Sequence, residues 1–354
     1  MFKVFNGLYE RYFSEEEAII FALLLVACAV IMFTMGGVIA PLLWSIIITF
    51  MLQGLVNALE RLNMPHTAAV YVVYLVFVGV TMIIFLIFLP FSWSRLTLFL
   101  NELPNMVNQL QSLLFVLPEN YPELFTQAQV EEWLNNIQGE IGQLGQVILS
   151  NSVTSITRMV SLVVYTVLVP IMVFFMLRDS EKLLNFLEKW LPEKRPIMAQ
   201  VWHEMNGQLA NYIRGKAVEI LIVGVSSYIL LSIFGLNYPV LLSVLIGFSV
   251  IVPFVGATVL TIPVFLVGFF QWGFGSELLQ VLVAYTVLQI IDGNILVPLI
   301  FSETVNLHPI AIITAILFFG GLWGFWGVFF AIPLATFIKA VIRAWPISTD
   351  PASS

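Results

Sequence analysis

The sequence predicts an all-α polytopic membrane protein with about eight hydrophobic segments, and three observations support this class. Of its 354 residues, 60% are hydrophobic and 10% are charged, and the mean hydropathy is +0.99. Uncharged stretches run for 19 to 57 residues, whereas one helical bilayer crossing needs only about 20 apolar residues. The apolar residues run continuously and do not alternate, which argues against an outer-membrane barrel. We therefore expect a multi-pass protein whose surroundings are the lipid bilayer.

The charged residues divide the chain into six segments. They are 1–94 with spans one to three, 95–157 outside the membrane, 158–177 as span four, 178–216 with amphipathic cytoplasmic helices, 217–344 with two repeated units, and 345–354 as a tail. Within the first segment, we expect spans one and two to separate near Gly36–Gly37 and Pro41. Span three then runs from about Thr67 to Pro90.

The placement of basic residues predicts the orientation in the membrane. Between Arg95 and Arg158 the sequence has six acidic residues and no basic one, whereas Arg178 to Lys216 holds seven basic residues. Cytoplasmic loops carry an excess of Lys and Arg, so the first of these segments should lie outside and the second inside. Both termini are then cytoplasmic.

Both polar segments show helical spacing of apolar residues. The outer one predicts two helices separated near Pro118 and Pro122, either as a cap on the membrane domain or as a docking site for a partner. In the cytoplasmic one, Met198, Trp202 and Met205 begin a single apolar face. That face is suited either to the inner leaflet or to packing against the chain's own spans.

Two apolar units repeat after Arg214. Pro239 and Pro309 each open a unit, and Pro263 and Pro333 each follow 24 residues later, so the units are offset by 70 residues. Each unit contains a break rich in proline or glycine. The break residues are Pro253 and Gly256 in the first unit and Gly320, Gly321, Gly324 and Gly327 in the second.

The arms beside each break are short. Those of the first unit have about 15 residues, too few for a full crossing, so we expect hairpins that enter and leave on one side. The order of crossings then gives the two hairpins opposite orientations, which is typical of the inverted repeats of secondary transporters. The glycines would permit tight turns, with Trp323 and Trp326 filling the space beside them. The alternative is a pair of kinked helices that serves only packing or dimerisation.

Asp292 is a carboxylate inside an apolar stretch, in the sequence VLQIIDGNILVP. A charge at membrane depth is costly and usually marks an ion or substrate pathway. Gln289, Gly293 and Asn294 supply dipoles and a flexible point around it. We expect coupling to H+ or Na+, or part of a polar solute site. The alternative is that the span ends early and Asp292 meets cytoplasmic water.

Other functional classes have little support. An intramembrane aspartyl protease needs two facing carboxylates, and the motifs of serine hydrolases, zinc proteases and P-loop enzymes are absent from the sequence. Nucleic-acid binding would need a basic patch. We expect no enzymatic activity, no catalytic residues, no cofactor, no bound metal and no nucleic-acid partner.

Several stretches resemble the autoinducer-2 exporter family of bacterial membrane proteins. They are RYFSEEEAI, VWHEMN, NYIRGK (211–216), GLNYPVLLSVLIGFSVIVPFVGA (235–257), DGNILVP (292–298) and NLHPIAIITAILFFGGLWGFWGVFFAIPLATFIKAV (306–341). The resemblance covers nearly the whole chain. It implies an inner-membrane location, a homo-oligomer that is pentameric, and an elevator-like arrangement in which 217–344 moves against spans one to four. It also carries over Asp292 and the second hairpin's glycines as site candidates, and Arg214–Gly215 as a hinge or gate.

Two functions remain open from the sequence. The first is a secondary transporter that exports a small polar solute or signal with ion coupling. The second is a non-transporting oligomeric membrane scaffold that binds partner proteins through its outer and cytoplasmic helices. A transporter must keep Asp292 and the hairpin turns in a wet interior, whereas a scaffold needs neither.

Overall fold

The computed structural model describes residues 16–115, 126–150, 156–253, 255–301 and 307–345, and it is helical nearly throughout them. The first seven helices are α1 (Glu16–Arg61), α2 (His66–Ile83), α3 (Leu89–Leu114), α4 (Gln127–Ser150), α5 (Ile156–Arg178), α6 (Ser180–Glu188) and α7 (Pro196–Ile233). The remaining seven are α8 (Pro239–Ser249), α9 (Val255–Trp272), α10 (Ser276–Ile291), α11 (Val297–Phe301), α12 (Pro309–Trp323), α13 (Phe325–Phe329) and α14 (Ala331–Ala344). Two π-helical segments, Ile84–Phe88 and Asp292–Leu296, join α2 to α3 and α10 to α11.

Long apolar helices confirm the polytopic membrane class. Within the described residues, five helical stretches are long and apolar enough to cross a membrane: Thr34–Arg61, His66–Met106, Pro196–Ile233, Val255–Trp272 and Ser276–Phe301. Shorter apolar helices occupy Tyr165–Arg178, Pro239–Ser249 and Pro309–Trp323. The number of crossings stays a prediction, because length and composition alone do not fix it.

Three predicted boundaries fall inside helices. Gly36–Gly37 is helical, and a single non-helical residue, Met35, kinks α1 where a connection between two spans was expected. The helix from His66 also continues past Pro90 and Ser94 to Leu114, with a π-helical turn but no loop. Similarly, α7 runs unbroken through Lys216, the predicted end of the cytoplasmic segment. The backbone hydrogen bonds of these helices therefore continue across a change in charge density.

The chain forms two compact units, each built from separate stretches. The first unit takes residues 1–76, 165–220 and 293–354, and the second takes 77–164 and 221–292. The predicted transport segment 217–344 is thus shared between the two units. Its movement as one body stays a prediction.

In the first unit, the beginning of α7 packs against the chain's own helices. One hydrophobic cluster of this unit joins α1, α7 and α14, and its buried residues are Ala18, Phe21, Ile197, Met198, Val201 and Ala340. The backbone N–H of Met198 also donates a hydrogen bond to the buried carboxylate of Glu17, at 2.9 Å. Of the two alternatives for this amphipathic face, the structure therefore shows packing on the protein for Met198, whereas Trp202 remains 56% exposed.

In the second compact unit, the helices of the segment predicted to lie outside the membrane pack together. α3 contacts α4, where Val130 and Leu134 are buried, and α3 also contacts α8. Next along the chain, α8 packs on α9 and α9 on α10. α3 and α4 thus pack on each other and α3 packs on α8, while the docking of a partner stays a prediction. Pro118 and Pro122, predicted to separate them, lie outside the described residues.

Candidate functional site

The first broken unit turns at the predicted proline. Pro239 is the first residue of α8, which ends at Ser249, and α9 begins at Val255 after a non-helical stretch that includes Pro253. A Cβ added to Gly256 would lie 1.9 Å from the carbonyl oxygen of Ser249. Only glycine therefore lets α9 leave the turn so close to the end of α8.

Tyr238 fixes the entry to this unit. It adopts a left-handed conformation with a φ of 58°, just before α8 begins. Its hydroxyl donates a hydrogen bond to the carboxylate of Glu102 on α3, and its ring packs edge-on against Phe99. Burial, helped by the hydrogen bond to Glu102, raises the pKa of Tyr238 to about 12. Removing the proton would place two negative charges side by side, so the neutral phenol is favoured.

The second broken unit turns at Gly324, one of its four predicted break residues. Gly320 and Gly321 lie within α12, and the helix breaks at Gly324, whose φ of 57° and ψ of −130° suit glycine alone. A Cβ on Gly327 would lie 1.8 Å from the carbonyl oxygen of Phe319. A Cβ on Gly320 would approach the side chain of Val328 at 2.8 Å, whereas Gly321 faces open space.

Aromatic rings pack around the second break, as the sequence predicted. Trp323 stacks on Phe319 with ring centroids 6.1 Å apart. Trp326 stacks on Phe330 and meets Trp44 of α1 edge-on, with centroids 4.9 Å apart. Trp323, before Gly324 in the sequence, and Trp326, after it, therefore pack against different aromatic residues.

The closing prolines of the two units do not end a helix. Pro263 lies in the middle of α9, and Pro333 is the third residue of α14. Pro333 suits that position, because the first turn of a helix has no partner for its N–H groups. Pro263 removes one hydrogen bond inside α9. The structure gives neither proline a place in a turn, and their role in gating stays a prediction.

Asp292 begins a π-helical turn inside a candidate membrane span. The segment Asp292–Leu296 contains Gly293 and Asn294 and lies within the apolar stretch Ser276–Phe301. Asp292 is half-buried, and Gly293 and Asn294 are exposed. A π-helical turn holds one extra residue, widens the backbone and is frequent at functional sites. The sequence predicted a flexible point here, but not this form of it.

A hydrogen-bond chain connects the Asp292 helix to the first break. The side-chain amide of Gln289 donates to the hydroxyl of Tyr285 at 2.7 Å, and that hydroxyl donates to the carbonyl of Ala257 at 3.0 Å. Ala257 follows Gly256 directly. Within the second compact unit, Gln289 is thus linked to the first broken unit through Tyr285. Gln289 was predicted as a site residue from the sequence, and Tyr285 was not.

Arg214 and Gly215 lie in the middle of α7, in a tightly packed part of the first unit. A Cβ on Gly215 would lie 2.6 Å from the ring of Phe301, and one on Gly54 would lie 3.0 Å from the Arg214 side chain. One turn earlier, the hydroxyl of Tyr212 donates to the carbonyl of Phe329 in α13. The helix does not break here, so the hinge or gate role of this pair stays a prediction.

Lys216 and Glu219 form an ion pair that was not predicted from the sequence. The Lys216 ammonium lies 2.8 Å from a Glu219 carboxylate oxygen, and the residues are 4% and 2% exposed. Glu219 is therefore a second carboxylate inside an apolar helix, besides Asp292. The available signal was an acid three residues after a base at the start of a long uncharged run.

These helices define a multi-pass membrane protein with broken helices and enclosed charges, the class to which many transporters belong. The family model of the AI-2E family transporters matches residues 19–347. The chain belongs to the AI-2E transporter family, as the resemblance of its motifs implied.

Named relatives agree with this family. The chain is 43% identical over 338 residues to the "Putative permease PerM" of Escherichia coli strain K12, covering 96% of each protein. It is 27% identical over 309 residues to the "Putative transport protein YueF" of Bacillus subtilis strain 168, covering 85% of this chain and 82% of that protein. A second Bacillus subtilis protein, "Putative transport protein YrrI", is 24% identical over 310 residues.

Proposed function

We propose that this protein is a secondary transporter of the bacterial inner membrane that exports a small polar solute or signal with ion coupling. The family and the names of its relatives support transport in general. The observation that carries the proposal further is the π-helical turn at Asp292 inside an apolar span. A carboxylate there is costly unless water or a cation reaches it, so its presence favours a pathway.

In this proposal, Asp292 binds the coupling ion, H+ or Na+. The widened backbone of the π-helical turn gives the carboxylate room to move between a hydrated and a paired position. Gln289 and Tyr285 transmit that movement to the first break, because they link the same helix to Ala257. Ion binding and the position of the first broken unit are thereby coupled.

Flux through proteoliposomes tests the role of Asp292. Asp292→Asn keeps the size and a hydrogen-bonding tip of the side chain but removes its titratable charge. We expect this variant to lose solute flux driven by an ion gradient, while its folding and oligomer size stay unchanged. Glu277→Gln is the matched control, because Glu277 is an exposed carboxylate in the first turn of the same helix.

Each outcome of this experiment separates the candidate functions. Full ion-driven flux in Asp292→Asn would make Asp292 a structural polar residue. If Asp292→Asn loses its oligomeric assembly and the native protein shows no measurable flux, the result would favour the oligomeric scaffold that binds partner proteins. A screen of small polar solutes in the native protein, with and without H+ and Na+ gradients, identifies the solute and the ion.

An inverted repeat provides the movement in this proposal. The turns at Pro253 and Gly324 meet in a central cavity, and residues 217–344 move against spans one to four in an elevator-like manner. Cysteine pairs at Val252 and Leu322, in a Cys28→Ser background, should crosslink at membrane depth. Two full crossings that end on opposite sides in either unit would exclude the repeat.

The orientation follows from the basic residues, with both termini in the cytoplasm. Single cysteines at Glu132 in α4 and Lys189 after α6 report on the two sides, because both positions are exposed. An impermeant thiol reagent outside the cell should label position 132 and leave position 189 unlabelled. The reverse pattern would invert the topology.

The protein is proposed to act as a homo-oligomer, pentameric as in the resemblance. Many apolar side chains on its spans are exposed in the single chain, Leu75 at 68% and Leu299 at 73% among them. Lipid and neighbouring copies would both cover such surfaces. Native mass spectrometry of the purified protein counts the copies, and a monomer at all detergent concentrations would exclude this part of the proposal.

A further inference from the structure

The Lys216–Glu219 pair is more deeply enclosed than an ion pair at a helix surface. Lys216 and Glu219 are one turn apart on α7, inside the candidate span Pro196–Ile233, and both are at least 96% buried. The Lys216 ammonium also lies 5.4 Å from the centre of the Phe301 ring. Enclosing two charges costs more than their attraction returns in many proteins, so such a pair is weak evidence of a stabilising role.

A second ion pair in the chain has the same sequence spacing and the same distance, with the acid before the base. Lys182 and Asp179 are also three residues apart, with the same nitrogen–oxygen distance of 2.8 Å, but the Lys182 side chain is 81% exposed. Hydrogen bonding to Lys182 lowers the pKa of Asp179, in a position where water reaches both groups. The two pairs therefore share their spacing and differ in their enclosure.

The chemistry of a carboxylate beside an ammonium is suited to binding a proton. Tyr212 and Arg214 are titratable residues on the same helix, and Phe301 of α11 lies beside Lys216. Gly54 of α1 faces Arg214, and the carbonyl of Phe329 in α13 faces Tyr212. Tyr212 already gives its hydroxyl proton to the carbonyl of Phe329. Hard cations need several oxygen ligands, whereas a carboxylate needs no further ligand to take up a proton.

We propose that Glu219 is a proton-binding site of the transporter and that Lys216 is the internal cation which occupies it between protonations. A proton from water binds to the Glu219 carboxylate and breaks the ion pair. The pair then changes from net neutral to one positive charge on the Lys216 ammonium, which the face of the Phe301 ring, 5.4 Å away, partly compensates. Release of the proton to the other side lets the ion pair form again.

This inference rests on the proposed function in one respect, because proton binding drives transport only if a solute is moved. It is independent of the ion site at Asp292. Protonation itself is measured without any solute, so the two proposals are tested separately.

Infrared difference spectroscopy on the full-length protein in lipid tests the site directly. Acidification should produce a protonated-carboxyl C=O band in the native protein. Glu219→Gln combined with Lys216→Gln removes both charges, which avoids leaving one charge buried alone. We expect this double variant to fold with an unchanged oligomer size and to lose one such band.

The matched control is Asp179→Asn combined with Lys182→Gln, which removes the exposed pair of the same spacing. It should keep the band assigned to Glu219. A native spectrum identical to that of the Glu219→Gln/Lys216→Gln variant at every pH would overturn the proposal, because Glu219 would then remain ionised. If the double variant fails to fold, Glu219→Asp serves in its place, because it keeps the carboxyl and shortens the side chain. It should shift the infrared band without abolishing it. An unshifted band would also overturn the proposal.

Transport measurements complete the test. In proteoliposomes, the Glu219→Gln/Lys216→Gln variant should lose flux driven by a proton gradient and retain exchange of labelled solute without a gradient. Unchanged proton-driven flux would overturn the role of the pair in coupling. Absence of all flux in the native protein would instead contradict the proposed function, while the infrared result would still decide whether Glu219 binds a proton.

Discussion

In both broken units, two helices pack very closely on either side of a break, but the turns at the two breaks differ. In each, a helix that follows the break passes so close to the helix before it that a glycine Cα faces a carbonyl oxygen. Gly256 faces Ser249 in the first unit and Gly327 faces Phe319 in the second. The carbonyls are 70 residues apart and the glycines 71, which nearly matches the offset of the opening prolines.

The turns themselves differ in length and backbone strain. The first unit leaves Val250 to Pro253 outside its helices, and the described residues of that turn have negative φ. The second uses one residue, Gly324, followed at once by the short helix α13. A longer turn spreads the change of direction over several residues, whereas a single-residue turn requires a conformation that only glycine adopts readily. Close helix approach is thus common to both units, and sensitivity at the turn should be particular to the second.

The largest expected loss of stability comes from disturbing the close helix approach that the two broken units share. Gly256→Ala and Gly327→Ala each place a Cβ within 2 Å of a backbone oxygen, which forces the two helices of the unit apart. We expect each to lower the free energy of unfolding by about 3 kcal/mol or more. Thermal unfolding in detergent measures this loss. Equal stability of either variant and the native protein would mean that the close approach is absent in that unit.

The feature particular to the second unit should give an intermediate effect. Gly324→Ala puts a side chain on a residue with a φ of 57° and a ψ of −130°, and the strain should cost about 1–3 kcal/mol. Nothing crowds the position, so the loss would come from the backbone alone. Val252→Ala in the first turn is the control, because alanine adopts its conformation without strain. Similar losses in both variants would remove the proposed difference between the turns.

A smaller effect of opposite sign should appear at Gly321. This residue is helical, and an added Cβ would meet no atom within 4 Å. Alanine costs less backbone entropy than glycine in a helix, so Gly321→Ala should raise the free energy of unfolding by roughly 0.5–1 kcal/mol. Gly320→Ala is the comparison, since its Cβ would meet the Val328 side chain at 2.8 Å. Destabilisation by Gly321→Ala would contradict the place of Gly321 inside a regular helix with open space beside it.

The smallest effect concerns the entries to the two units. The first is held by Tyr238 on Glu102, whereas His308 caps the second by accepting a hydrogen bond from the N–H of Ile310. The pKa of Tyr238 is raised from 10.0 to about 12, so its contribution to stability is complete below pH 10 and is lost as the pH rises through 12. Tyr238→Phe should flatten the fall in melting temperature over that range. Tyr71→Phe controls for a general loss of tyrosine protons, and equal curves for both variants would contradict the role of Tyr238.

The sequence predicted the helices of the repeats better than their turns. Pro239 and Pro309 begin their helices as expected, because a proline suits the first helical position. Gly324 could not be chosen among four nearby glycines, since the choice depends on which of them faces a neighbouring backbone. The burial of Glu219 could not be predicted either, because it depends on how α7 packs against the other helices and not on the residues beside it in the sequence.

The candidate site shows the same limit. The cost of a charge among apolar residues drew attention to Asp292, but a π-helical turn has no sequence pattern of its own. Tyr285 looked like one more aromatic residue of an apolar helix. Its link to Ala257 depends on the packing of α9 against α10, which no local spacing contains.

Because of the π-helical turn at Asp292, deletion of a single residue should have different consequences at different positions of this span. Deleting one residue from an α-helix rotates everything beyond it by about 100°, because each residue turns the helix by that angle. A π-helical turn already holds one residue more than an α-helical turn. Deletion of Asn294 would therefore convert Asp292–Leu296 into regular α-helix and leave Phe301 facing its present neighbours. The same deletion at Val283, within regular α10, would turn Asp292 and all that follows it to another side.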